Sequence, residues 1–176
     1  MTYDVDNRLD TYTQTENNKT TTQSNLYNGD GQRIQKSEGD NTINYYYQNG
    51  NVLYTTDKDE KKTSHNFVGL EGNIISTMRY NISGLEYYVY NKDVKGSTTN
   101  IVDNNKNAKI SYKYSDFGET REIGDTDFYN EIAYTGGIYD ESTSLYYLNA
   151  RYYNPEDARF ITQDTYRGEV NNPSSL

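Results

Sequence analysis

The chain has 176 residues, and Leu, Ile, Val and Phe together make up about 17% of them, a share below that of ordinary folded domains. It also contains 21 Tyr, whose apolar rings can build a core while their hydroxyl groups stay hydrated or hydrogen-bonded, so we predict a folded protein with a thin, tyrosine-lined core. A net charge of -9 argues against nucleic-acid binding, the absence of Cys excludes disulfides and thiolate metal sites, and no apolar run is long enough to span a membrane.

A short phrase recurs along the chain: an aromatic residue, a polar turn with Asp, Asn or Gly, and then a basic or polar residue with an aliphatic one. It occurs at residues 3–9, at 27–34 and, more loosely, at 114–121. Recurrence at intervals of roughly 20 residues or more indicates a repeat architecture. Repeats usually supply surface or enclosure, so we expect any chemistry at an atypical end of the array.

Nearly all of the predicted elements are strands. Asn49-Gly50 separates two alternating segments, and this pair is a strong hairpin signal because both central residues of a type I′ turn need positive φ. One short helical turn is predicted near residues 154–157. The fold class is therefore all-β, with consecutive antiparallel β-hairpins forming a curved or spiralling, tyrosine-rich sheet. The main predicted strands lie at 42–47, 52–56, 63–70, 74–80, 86–91, 98–103 and 108–114.

The last third of the chain is denser in aromatic residues and carries a specific resemblance. Residues 134–155 and 159–164 resemble the Rhs repeat-associated core of YD-repeat (Rhs) proteins, and residues 88–98 and 112–118 resemble the stretch that usually precedes that core. The resemblance implies three parts: YD-type β-hairpin repeats at 1–86, the Rhs repeat-associated core at 87–166, and a truncated linker at 167–176.

The resemblance implies a structural function. Family members form a β-sheet shell around a toxic C-terminal domain, and they include polymorphic toxins and wall-associated proteins that bacteria export. The expected partners are the C-terminal toxin cargo and the remaining repeats of the parent chain, without a cofactor or a nucleic acid. The expected location is secreted or at the bacterial cell surface.

The resemblance also implies a self-cleaving site, in which aspartates helped by an arginine cut the chain after the core. Carried over by position, the first aspartate is Asp164 and the arginine is Arg151, with Arg159 as a second choice. The second aspartate would lie beyond the end of this sequence. Because a carboxylate dyad needs both of its members, we expect this fragment to be a non-catalytic piece of the shell.

Other interpretations stay open at this point. Paired tyrosines at 45–47, 87–88 and 146–147 could stack on sugar rings, so a carbohydrate or cell-surface binding module is the alternative function; alternate tyrosines packing the inner face of the sheet is the simpler interpretation. The single histidine, His65, is interpreted as structural. Acidic turns such as 57–60 and 125–127 lack EF-hand spacing and are interpreted as a solvated face. Strand edges exposed by truncation predict self-association through an edge, or mobile ends.

Overall fold

The structure is a computed structural model that describes residues 1–16, 18–125 and 127–162. Within these residues, twelve strands form one sheet, here called the repeat sheet, in which every strand is antiparallel to its neighbours in sequence. The strands are β1 (Thr2–Tyr3), β2 (Leu9–Glu16), β3 (Lys19–Tyr27), β4 (Arg33–Glu38), β5 (Asn41–Gln48), β6 (Asn51–Thr56), β7 (Lys62–Val68), β8 (Ile74–Asn81), β9 (Gly84–Lys92), β10 (Thr98–Asp103), β11 (Ala108–Tyr114) and β12 (Thr120–Gly124).

A second sheet, here called the terminal sheet, follows a short 3-10 turn at Tyr134–Gly136. Its four strands are also antiparallel in sequence order. They are β13 (Ile138–Asp140), β14 (Leu145–Leu148), β15 (Arg151–Asn154) and β16 (Arg159–Phe160). The predicted division at residues 86 and 87 falls within β9, and it stays a prediction from the resemblance.

The all-β prediction is confirmed. Asn49 and Gly50 have φ of 51° and 81°, as a type I′ hairpin requires. The predicted helical turn near 154–157 is wrong, because residues 155–158 form a reverse turn between β15 and β16. The side chain of Asn154 accepts the Glu156 N–H at 3.0 Å, and this local bond competes with helix formation.

One five-residue loop recurs between strands of the repeat sheet, and the Asp57 loop shows its hydrogen bonds. The Asp57 N–H donates to the Lys61 carbonyl, and the Glu60 N–H donates to the Asp57 carbonyl. Oδ1 of Asp57 accepts the N–H groups of Asp59 and Lys61 at 2.9 and 3.0 Å. The fourth loop residue has positive φ, 61° at Glu60. Loops with the same backbone bonds begin at Asp4, Asn28, Gly69, Asp93, Asp103 and Ser115.

A β-bulge follows most of these loops and turns selected side chains inward. After the Asn28 loop, Tyr27 pairs with Arg33 and Leu26 pairs with Gln35, which leaves Ile34 as the extra residue. A bulge changes the alternation of side chains along its strand. Arg33 and Lys36 are therefore both buried on the face that meets the terminal sheet, although they are three residues apart.

Tyrosine hydroxyls bind the backbone next to these bulges. Tyr27 donates to the Leu9 carbonyl at 2.7 Å, and Tyr114 donates to the Thr98 carbonyl at 2.6 Å. Each acceptor is the first residue after a five-residue loop, and each donor lies on the next strand of the sheet. The recurrent phrase is thus the sequence of one physical unit, in which a loop, a bulge and a tyrosine anchor occur together.

The core lies between the repeat sheet and the terminal sheet. It combines aliphatic side chains of the repeat sheet, such as Ile101 and Ile110, with tyrosines of the terminal sheet, of which Tyr146, Tyr147 and Tyr152 are almost completely buried. Tyrosine therefore supplies much of the apolar contact that the few aliphatic residues cannot. In the part of the chain that the structure describes, no helix has the length and hydropathy needed to span a membrane.

Candidate functional site

Four charged side chains meet between the two sheets, and we call them the inter-sheet charge cluster: Arg33, Lys36 and Asp140, which are buried, and Glu131, whose side chain is 11% exposed. Arg33 and Lys36 come from β4 of the repeat sheet, Asp140 ends β13, and Glu131 lies in the segment that precedes β13. Arg33 and Asp140 are both 0% exposed. Buried ions are costly unless they are paired and hydrogen-bonded, so the contacts of these four side chains determine whether the cluster is stable.

Arg33 and Asp140 form a bidentate ion pair. Nη1 of Arg33 contacts Oδ2 of Asp140, and Nη2 donates to Oδ1 at 3.0 Å. Gln23 donates a further hydrogen bond to Oδ2 at 2.9 Å. The planar fork of a guanidinium matches both carboxylate oxygens, so the pair fixes an orientation as well as a distance.

Lys36 joins the two carboxylates of the cluster. Its Nζ lies 2.7 Å from Oε1 of Glu131 and 3.2 Å from Oδ1 of Asp140. The hydroxyl of Tyr45 also donates to Oε1 of Glu131, at 2.8 Å. Two cations face two anions, so the buried cluster carries no net formal charge.

Aromatic rings enclose the Arg33 guanidinium. Its Cζ lies 5.0 Å from the Tyr45 ring centroid, 4.8 Å from that of Tyr147 and 5.8 Å from that of Tyr152. Nη1 also donates to the Tyr152 hydroxyl at 2.8 Å. Among the described residues, Nε of Arg33 is the buried side-chain polar atom that lacks a hydrogen-bond partner. Cation–π contact and ion pairing together offset the desolvation of the guanidinium.

The pKa values of the cluster favour the charged forms. Burial by itself would raise the pKa of Asp140, but the charges of Arg33 and Lys36 and the hydrogen bonds from Arg33 and Gln23 outweigh it and lower the pKa to about 2. Burial would lower the pKa of Lys36, but Asp140 and Glu131 raise it well above its ordinary range. Burial raises the pKa of Tyr45 far above 10.0, with Glu131 adding to the effect.

These shifts restrict what the cluster can do. A general acid or base works best with a pKa near the working pH, and both Asp140 and Lys36 are far from it. The arrangement instead fixes the terminal sheet in one position on the repeat sheet. The cluster is therefore a structural site that joins parts of the chain 95 to 107 residues apart.

The arginines predicted at the self-cleaving site lie on the last two strands. The Arg151 guanidinium stacks on the Phe160 ring, with Cζ 3.7 Å from its centroid. Arg159 is exposed and lies 3.4 Å from Oδ2 of Asp157. Asp164 falls outside the described residues. The catalytic assignment of Asp164 and Arg151 stays a prediction.

The described chain reaches Thr162, and its final residues are connected to the charge cluster through Tyr152. Ile161 donates its N–H to the Tyr152 carbonyl at 2.9 Å. The Tyr152 N–H donates to Oγ1 of Thr162, which is buried, at 3.0 Å. The hydroxyl of the same tyrosine accepts the bond from Arg33. Ile161 and Thr162 are thus fixed in position against Tyr152.

Sequence reasoning missed the inter-sheet charge cluster. Arg33 belongs to the recurrent phrase as the basic residue after the turn, next to Ile34, and only the bulge shows that it points inward. Asp140 lies within the terminal block as one acidic residue among many. The available signal was the loop register: Arg33 follows its loop at the position where Leu9 and Ile74 follow theirs.

The remaining sequence interpretations have specific places in the structure. His65 lies on the face of the repeat sheet away from the terminal sheet, where its ring stacks near Tyr54 at 6.5 Å between centroids. Asp57 accepts bonds within its own loop, as expected of a turn aspartate. In the described residues, no group of three or more acidic, His or Cys side chains could hold a metal ion.

Comparisons with known proteins agree with this architecture. The family model described as Teneurin YD-shell matches residues 57–175. The tRNA3(Ser)-specific nuclease WapA of Bacillus spizizenii is 37% identical over 142 residues, and the tRNA nuclease WapA of Bacillus subtilis strain 168 is 33% identical over 142 residues. Each alignment covers 78% of this chain but only 6% of the relative.

Solved structures show the same fold. The crystal structure of TcdB2-TccC3-Cdc42 superimposes with a TM-score of 0.72 at 18% identity, covering 99% of this chain and 10% of that one. The Photorhabdus luminescens Tc holotoxin pore gives a TM-score of 0.67 at 19% identity, covering 93% of this chain and 8% of that one. The family model, the WapA relatives and the paired sheets lead to one conclusion: the chain belongs to the YD-repeat family of proteins as a Teneurin YD-shell chain.

Proposed function

We propose that this chain is a non-catalytic wall segment of a β shell that encloses a C-terminal toxin in a larger, exported bacterial protein. The observation that carries the proposal is the buried Arg33–Asp140 pair, which joins the terminal sheet to repeats more than a hundred residues upstream. A shell that has to retain a cargo needs its terminal element held firmly on its wall. The chain spans only a small part of its WapA relatives, which leaves most of such a shell to other repeats.

The proposal places the cargo after the terminal sheet. Thr162 and Ile161 are held against Tyr152, so the chain enters the segment that contains Asp164 from a fixed position. Fixed entry supports the proposed self-cleavage in the complete protein, with Asp164 as one carboxylate of a dyad and Arg151 as the helping cation. The nuclease activity in the names of the WapA relatives would then belong to a cargo domain and not to the wall.

The test uses the complete natural protein that contains this chain. Limited proteolysis should leave the enclosed C-terminal domain intact, and Asp140→Asn should expose it to protease without abolishing secretion of the protein. Asp164→Asn should keep the protein as one band on a gel if the carboxylate is catalytic. A C-terminal domain that protease degrades equally fast in the unaltered protein would contradict enclosure.

The outer face of the repeat sheet gives a second candidate function, binding of glycans. Tyr46 and Tyr54 are stacked at 4.3 Å with an interplanar angle of 11°, and His65 continues the row. Tyr146 and Tyr147, in contrast, are buried and give no platform. Titration with neutral oligosaccharides should quench tyrosine fluorescence in the unaltered chain and much less in a Tyr46→Ala variant. Equal quenching in both chains would remove this candidate.

A further inference from the structure

A cavity of about 350 Å³ lies between the inner face of strands β5 to β9 and the segment around Glu131. Twelve of its twenty lining residues are polar or charged, but most of the exposed wall surface is apolar, with Tyr45, Tyr90, Val52 and Ile138 among the residues that line it. Ligand sites in proteins are typically concave, largely apolar and furnished with a few polar groups. The cavity therefore has the size and lining of a binding site, and the inter-sheet charge cluster explains only the Glu131 side of it.

Several neutral polar groups of the cavity are satisfied by the protein itself. Thr77 donates to Oδ1 of Asn66 at 2.7 Å, and Nδ2 of Asn66 donates to the Val52 carbonyl at 3.0 Å. Asn130 donates to the Tyr112 hydroxyl and to the Ile132 carbonyl. These groups shape the wall, and they leave the recognition of a charged ligand to another residue.

Arg79 is the cation of the cavity. Its guanidinium lies over two rings, with Cζ 4.3 Å from the Phe128 centroid and 5.0 Å from the Tyr88 centroid. Stacking of this kind holds the guanidinium plane in place, and because a guanidinium has five N–H donors, its hydrogen bond with the Tyr90 side chain leaves other donors for a carboxylate. Among the described residues, no carboxylate lies within ion-pair distance of Arg79.

The carboxylates around Arg79 are engaged elsewhere. Glu86 is opposite Arg79 in the strand register, but its Oε2 accepts bonds from the Tyr88 hydroxyl, at 2.9 Å, and from Asn81. Glu131 is bound by Lys36 and Tyr45. Asp57 caps its own loop. The one cation of the cavity without an acidic partner in the described chain thus borders an apolar space.

We propose that this cavity binds a carboxylate carried on an apolar body, with Arg79 holding the carboxylate and the aromatic walls holding the body. Such a group has two sources. The first is an acidic side chain beside an apolar residue on a chain segment inside the shell, and this source rests on the proposed function. The second is a free small carboxylic acid, and this source is independent of that function.

The test titrates the isotopically labelled chain with N-acetylphenylalanine and, as the matched neutral probe, with its amide. We expect saturable shifts of amide signals on β8 and β9 with the acid, and binding of the amide at least about tenfold weaker. Arg79→Gln should weaken binding of the acid by a similar factor, and Arg79→Lys by less. Lys113→Gln, on an exposed position of β11, is the control and should bind as the unaltered chain does.

Two further readouts keep the outcome clear. Near-ultraviolet circular dichroism checks that each variant keeps its tyrosine packing, and Arg79→Lys gives an answer if Arg79→Gln unfolds. A four-residue peptide that contains Phe-Asp and has both termini blocked distinguishes the two sources. Tighter binding of this peptide assigns the site to an enclosed segment, and tighter binding of the free acid assigns it to a small molecule. Equal affinity for acid and amide, unchanged binding by Arg79→Gln, or no saturable binding would overturn the proposal, whatever the proteolysis of the shell shows.

Discussion

Arg33 occupies the structural position that Leu9 occupies in the preceding loop of the repeat sheet. Each is the first residue after a five-residue loop, each pairs with the tyrosine before that loop, and each is 0% exposed. One position therefore takes an aliphatic side chain in one repeat and an ion-paired guanidinium in another. The difference matches the neighbour of each residue, because Arg33 faces the buried carboxylate of Asp140 in the terminal sheet.

Breaking the buried pair should be strongly destabilising. Asp140→Asn or Arg33→Leu leaves one buried ion without its partner, and we expect a loss of about 3 to 5 kcal/mol in the free energy of unfolding. The double variant Arg33→Leu with Asp140→Leu should recover most of that loss, since neither ion remains. Urea denaturation measures all three. Arg159→Leu, in an exposed pair, is the control, with an expected change within about 0.5 kcal/mol. Single variants as stable as the unaltered chain would contradict the role of the pair.

Stability should fall in acid through Asp140. Arg33 and Lys36 outweigh the opposing effect of burial and hold the pKa of this carboxyl at about 2, against an ordinary value of 3.8. The unfolded chain binds the proton more readily, so the contribution of about 2 kcal/mol is complete above pH about 4 and is lost as pH falls toward 2. Urea midpoints measured across this range should fall more steeply for the unaltered chain than for Asp140→Asn. Parallel pH profiles would exclude Asp140 as the cause.

The recurring loop should respond to changes at its first and fourth residues. Asp57→Ala removes the acceptor of two backbone N–H groups and should cost about 1 kcal/mol. Glu60→Gly should stabilise the chain by up to about 1 kcal/mol, because glycine adopts the left-handed conformation without steric cost. Lys58→Ala, at an exposed loop position, should change little. Thermal unfolding measures the series, and destabilisation by Glu60→Gly would show that this side chain makes a contact worth more than the backbone strain.

The tyrosine anchors should have a measurable energy. Tyr27→Phe deletes the hydroxyl that donates to the Leu9 carbonyl at 2.7 Å and leaves the ring in place. We expect a loss of about 1 kcal/mol in unfolding free energy. Tyr46→Phe, on the exposed face, is the matched control and should be close to neutral. Equal losses at both positions would mean that the hydroxyl bonds next to the bulges have no special part in the fold.

Self-association through strand edges remains a prediction. The strands β1 and β12 end the repeat sheet and each pairs on one side. Sedimentation over a wide concentration range should show concentration-dependent oligomers, and Ile123→Lys, which places a charge on exposed β12, should reduce them. A monomer at every concentration for the unaltered chain would make this prediction wrong.

The sequence predicted the parts of the fold that local chemistry determines. The Asn49-Gly50 pair predicted a hairpin because these two residue types readily adopt the positive φ that a type I′ turn requires. Alternation of side chains predicted strands such as β10 and β11. Arg33 and Asp140 could not be paired in this way, since they are far apart in sequence and the bulge at Ile34 decides which way Arg33 points. The turn at residues 155–158 was mistaken for a helical turn because Asn followed by Pro is common both at the start of a helix and in a reverse turn. Here the Glu156 N–H donates to the Asn154 side chain within a reverse turn.

Native-state hydrogen exchange most directly tests whether the inter-sheet charge cluster makes the two sheets one unit. Slowly exchanging amides of β4 and of β14 should open with the same free energy, and Asp140→Asn should lower both by the same amount. If the amides of β14 exchange at a lower free energy than those of β4, and Asp140→Asn leaves β4 unchanged, the terminal sheet unfolds independently and the proposed joining of the wall is contradicted.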